Sequence, residues 1–204
     1  MIDKVAHAQQ IITKILVLCA GWVLFIFSFV VTLNVIARKF FSYSIQGVDE
    51  YGGYILAISA ALGFSQAVLG RAHIRIDIAT RRLPLPLRSV AITFAIASLL
   101  CTIGYLAYHG FLLAAQSHQM GALATSVLRT PLWIPQALWV SALVWCGLII
   151  LVQLVASLTM LVQRRWQQNI DQFDSPTLEA EVQLELDELT RRKNSSPNLK
   201  QAKR

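Results

Sequence analysis

The residues best suited by type to metal, redox or proton chemistry are His109, His118 and the three cysteines. A b-type haem held in a membrane needs an imidazole on each axial side of the iron, from facing helices at similar depth. His109 falls inside an apolar run and His118 stands further along towards its end, so the spacing offers no facing pair. Both read as structural or interfacial histidines. Cys19, Cys101 and Cys146 lie inside separate apolar runs with no metal-type spacing, and read as small buried hydrophobes. No catalytic, cofactor-binding or metal-binding residue is assigned, and no enzyme activity is expected.

Two polar clusters suit contact rather than catalysis. Asp49 and Glu50 open an apolar run just after Gly47, where the orphan N–H groups and macrodipole of a starting helix favour negative charge. The same position can also meet a polar partner at a membrane surface. The stretch from Gly70 to Arg88, GRAHIRIDIATRRLPLPLR, mixes isoleucines with arginines before Pro84 and Pro86. If it is helical, Asp77 can pair with Arg81 one turn on. It then serves either as an interfacial piece holding arginines among lipid headgroups or as a docking surface for a neighbour.

These clusters must be positioned by the apolar runs between them. The chain has 204 residues, of which 55% are hydrophobic and 14% charged, with a mean hydropathy of +0.55. Soluble domains carry roughly 25% charged residues, so too few remain here to cover a globular surface. The apolar residues come in runs of about 20, the length that crosses about 30 Å of hydrocarbon. A soluble enzyme, a nucleic-acid-binding domain and a disordered protein are excluded. The expected fold is an all-α integral membrane protein with four transmembrane helices, at about 15–36, 51–69, 90–115 and 135–162. The first run extends far past Cys19, too long for a signal h-region, and is expected to remain as an uncleaved span.

The formal net charge of +7 is placed at the flanks of the runs, which points to lipid headgroups and orientation rather than to nucleic acid. Lys4, Lys14, Arg71, Arg75, Arg81, Arg82, Arg88, Arg164 and Arg165 fall on one side, while Arg38, Lys39 and Arg129 fall on the other. The positive-inside rule therefore puts both termini in the cytoplasm. Residues 1–14 form a cytoplasmic N-terminus, 15–162 the transmembrane domain and 163–204 a polar cytoplasmic tail. In that tail Ser175–Pro176 can start a helix with Leu178, Val182 and Leu189 on one face, and disorder is expected from Asn194. Trp22, Trp133 and Trp139 suit the headgroup zone, whereas Trp145 lies deeper and suits helix packing. Span two carries small residues every fourth position, as Gly53, Ala57, Ala61 and as Ser59, Gly63, Ala67, a pattern that lets helices approach closely.

The spans hold almost no ionisable groups and no paired Gly or Pro breaks of the kind that build midplane substrate sites. The chain is therefore not expected to move a solute alone.

In order along the chain stand Arg38-Lys39-Phe40-Phe41, Gly47-Val48-Asp49-Glu50, then Gly63, Ala67, Gly70 with His73-Ile74-Arg75-Ile76-Asp77, and finally Pro131-Leu132-Trp133-Ile134-Pro135. With the four-span plan, these motifs resemble the small, Q-type (DctQ-like) permease subunit of tripartite ATP-independent periplasmic (TRAP) transporters. The resemblance covers about Lys14 to Leu161, and the His73–Asp77 signature is its most specific part. Lys39, Ser65-Gln66 and the long tail depart from the family pattern. The resemblance implies a non-catalytic scaffold in the bacterial inner membrane. Its partners would be a large (M-type) elevator permease that carries the sodium and substrate sites, a periplasmic substrate-binding protein that delivers an organic acid, and membrane lipid. Arg38, Asp49, Glu50, Gly63, His73 and Asp77 are the candidate partner-interface residues. The alternative is a membrane anchor of a respiratory oxidoreductase, with His109 near a haem or quinone.

Overall fold

The computed structural model describes residues 2–43, 45–70, 84–125, 128–173 and Leu186. Among these residues the helices are α1 (Ile2–Phe41), α2 (Val48–Leu69), α3 (Leu85–Gln119), α4 (Trp133–Val162) and α5 (Trp166–Phe173). The only β-type pairing among them is a single bridge, Leu123–Pro131. Four helices are long and apolar enough to cross a membrane, over Ala6–Phe41, Val48–Leu69, Leu85–Gln119 and Trp133–Val162. The all-α, four-span membrane architecture expected from the sequence is the one found.

Each helix is longer than its apolar core. The 40 residues of α1 pass through Lys14 without a break and span roughly 60 Å, about twice the thickness of the hydrocarbon. A helix of that length must tilt strongly or continue beyond the bilayer. At the start of α3, Pro84 caps the helix in extended conformation and Pro86 occupies the first turn. Proline is tolerated there because the first-turn N–H groups have no intrahelical acceptor, so α3 begins before the apolar run does. Pro135 is accommodated in the same way in the opening turn of α4.

α3 and α4 form an antiparallel hairpin. A side chain at Gly110 would meet Val140 at 2.9 Å and Trp139 at 3.0 Å, and one at Gly147 would meet Ile103 at 3.9 Å. At the other end Thr93 lies 2.8 Å from Ser157. α4 is the hub, packing along α3 and α2 and touching α1, while α1 packs mainly on α2. α3 makes no extensive contact with α1 or α2. The helices therefore stand as an open row, α1–α2–α4–α3, rather than as a closed bundle.

The main core joins Ile92, Ile96 and Ile103 of α3 to Cys146, Ile149, Ile150 and Ala156 of α4, with Val68 from α2 and Ile170 and Phe173 from α5. A second cluster sets Ala61 of α2 against Ala142 and Leu143. Lipid tails are as apolar as these side chains, so burying them yields close packing rather than hydrophobic gain. Cys146 is buried as expected, but Cys19 and Cys101 are exposed on the helix surfaces. This corrects the expectation that all three are buried. An apolar run marks a span without saying which side of the helix faces lipid.

Candidate partner interface

At one end of the row, α1 turns into α2. Asn34, 6% exposed, accepts the Ile45 N–H on its Oδ1 at 2.8 Å, and the backbone reverses through left-handed Ser42 and Gly47. Gly47, at φ 85°, is the N-cap of α2, and Leu128 from the α3–α4 connection seats directly on it. Arg38 is exposed in the last turn of α1, and Asp49 and Glu50 occupy the first turn of α2. Asp49 is exposed, while Glu50 is half-buried and accepts the Tyr54 hydroxyl on Oε1 at 2.8 Å. Three of the sequence-derived interface residues thus flank one turn. The carboxylates sit where the helix dipole favours them.

Gly63 lies in the second half of α2, and a side chain there would meet nothing within 4 Å. It makes no close approach to another helix of this chain. Its stripe-mates on the other register divide, with Gly53 and Ala57 exposed and Ala61 fully packed on α4. Besides Gly47, close contact is permitted by Gly52, where a side chain would meet Phe27 at 3.0 Å, and by Gly110 against Val140 and Trp139. His73, Asp77 and Arg81 fall outside the described residues, as does the Ser175–Pro176 segment.

At the other end of the row stands a polar knot that hydropathy does not show. The Asn169 amide donates from Nδ2 to Ser89 Oγ at 2.7 Å, and its Oδ1 accepts the Ser157 hydroxyl at 2.9 Å. Ser157 and Thr93 share a bond of 2.8 Å, and the Thr93 hydroxyl also lies 3.0 Å from the Ser89 carbonyl. Ser89, Ser157 and Asn169 are completely buried. The knot joins the first turns of α3, the last turns of α4 and α5. Trp166, Asn169, Ile170 and Phe173 repeat at helical spacing and turn one side of α5 to the core, and this is the signal in the sequence that could have found it.

α1 is tied to α4 by two polar contacts. The Trp145 indole N–H donates to Thr13 Oγ1 at 3.1 Å, and the Gln9 amide donates to the Leu148 carbonyl at 3.4 Å. Trp145 is thus a packing residue, as its depth suggests. Past the end of α2 a cleft of about 380 Å³ opens between α1 and α3, with Gln9, Gln153, Ser98 and Thr102 among its lining groups. His109 packs at a tilt against Tyr105, centroids 4.3 Å apart, and His118 meets Trp133 edge-on at 5.1 Å. Among the described residues no group of His, Cys, Asp and Glu is placed to hold a metal ion.

An open row of four apolar helices with amide and hydroxyl contacts between them defines a multi-pass α-helical membrane protein. The DctQ component of tripartite ATP-independent periplasmic transporters matches residues 27–160, and the chain belongs to that family. No curated protein matches it. Membership favours the transporter over the respiratory anchor of the two functions weighed from sequence.

Proposed function

We propose that this chain is the non-catalytic scaffold subunit of a sodium-coupled TRAP importer. A periplasmic binding protein delivers an organic acid to a large elevator-type permease, and this subunit enlarges the fixed frame against which that permease moves. It lies in the bacterial inner membrane with both termini in the cytoplasm. The observation that carries the reading is the open row of helices. The most apolar window of α1 has none of its residues buried within the chain, and phenylalanines such as Phe25, Phe29, Phe40 and Phe41 point outward. A frame that leaves this much helix surface unmatched suits assembly with another membrane subunit. The spans' lack of ionisable groups argues that the ion and substrate sites lie in the partner.

Arg38, Asp49, Glu50, Gly63, His73 and Asp77 act as contact residues in this reading. The test is co-expression with the large permease. Asp49→Asn, Glu50→Gln and Asp77→Asn lower complex yield or transport rate while the solute preference stays that of the wild type. A changed preference in any of them would move substrate recognition into this chain.

A further inference from the structure

Where α1 runs beside α2, Lys14, Leu18, Gly21, Trp22 and Phe25 of α1 and Gln66 of α2 line an open groove of about 580 Å³. The α1 residues recur three or four positions apart, so the groove follows the helix axis. Gly21 keeps it open, since a side chain there would meet nothing within 4 Å. Trp22 and Phe25 meet edge-on, centroids 5.8 Å apart, and line it with aromatic rings.

Length, charge and hydrogen bonding together select the occupant. From Lys14 to Phe25 is about 16 Å along the helix, close to half of the roughly 30 Å of hydrocarbon. The groove therefore has the depth of one leaflet, which suits an acyl chain, whereas a spanning partner helix would need a groove through both. Lys14 stands at the edge of the apolar run, exposed, with no ion pair or hydrogen bond among the described residues. A lysine there lays its stem along apolar surface and holds its ammonium at headgroup level. An unpaired cation at the end of an apolar slot complements an acidic head on an apolar tail. Gln66 adds a second demand, because its Oε1 is buried with no hydrogen-bond partner among the described residues. Hydrocarbon cannot supply that bond, and a headgroup hydroxyl can. Gln66 also belongs to the Ser65–Gln66 pair that departs from the family pattern.

We infer that the groove binds one anionic phospholipid, with its phosphate on Lys14, a headgroup hydroxyl on Gln66 and one acyl chain laid over Gly21. Basic pockets between spanning helices hold acidic lipid headgroups in this way. The inference goes beyond the scaffold reading, since it assigns this strip of α1 to lipid and leaves the rest of the helix for the large permease.

The test is native mass spectrometry of the delipidated full chain, titrated with phosphatidylglycerol or with phosphatidylcholine of the same acyl chains. Phosphatidylglycerol is expected to bind more tightly. Lys14→Gln should weaken it roughly fivefold, the worth of one lysine near an anionic surface, and change phosphatidylcholine by less than about twofold. Gly21→Leu fills the groove without meeting this chain's own side chains, and should weaken both lipids. Phosphatidylglycerol binding left unchanged by either variant overturns the inference. In the co-expressed complex, a benzophenone amino acid at exposed Leu18 should crosslink to phospholipid. A crosslink to the large permease instead overturns the lipid site and leaves the scaffold reading standing.

Discussion

Asn169 and Ser89, joined by a 2.7 Å hydrogen bond, lock α5 onto the opening turn of α3. The amide also reaches Ser157, so one side chain holds the start of one span, the end of the next and the helix that follows. All of its partners are out of solvent. A buried network of this kind stabilises when complete and is costly when one member is removed.

Asn169→Ala therefore leaves the buried Ser89 hydroxyl without its amide partner and Ser157 with Thr93 alone, at a cost of about 1–3 kcal/mol. In detergent the unfolding midpoint should fall by roughly 4 °C or more. The exposed neighbour Gln168→Ala should change it by less than a quarter of that. Equal midpoints for the two variants would mean that the knot contributes nothing to the fold.

Gly110 and Gly63 should separate two roles that small residues play in membrane helices. Gly110→Leu drives a side chain into Val140 and Trp139 and should destabilise the isolated chain by about 1–3 kcal/mol. Gly63→Leu meets open space in this chain, so its isolated stability should stay within about 0.5 kcal/mol of wild type. If Gly63 faces the large subunit, the same variant lowers complex yield. Thermal melts of the isolated chain alongside co-purification yields check both statements.

Four spans, their order and the membrane class were legible in the sequence because hydropathy sums over neighbours in the chain. The Asp49–Glu50 pair was legible for the same local reason, since a helix start is read from a few residues. The polar knot was not, because Ser89 and Asn169 are far apart in sequence and each looks like an ordinary hydroxyl or amide near a span end. The close approach at Gly110 was missed because a stripe of small residues shows where contact is possible but not which helix supplies it. α1 runs through Lys14 because a lysine at a span edge does not break a helix. α5 is short, and its pattern falls where the composition turns polar.

Orientation is checked by cysteine accessibility at sites that the fold leaves open. Ser89 is completely buried and unsuitable, whereas Leu87 and Met120 are exposed, at 52% and 71%, beyond either end of the apolar part of α3. In a background lacking Cys19, Cys101 and Cys146, an impermeant thiol reagent should label Met120→Cys and not Leu87→Cys in intact cells. The reverse pattern would put both termini outside.

The scaffold role is tested most directly by uptake in proteoliposomes with a sodium gradient and a panel of organic acids. Reconstituted alone, this chain is expected to give no sodium-driven uptake and no saturable binding of any acid. Adding the large permease and the matching binding protein should produce uptake, and the permease without this chain should be unstable or inactive. Sodium-driven uptake by the isolated chain would contradict the scaffold role and place the transport site within these four helices.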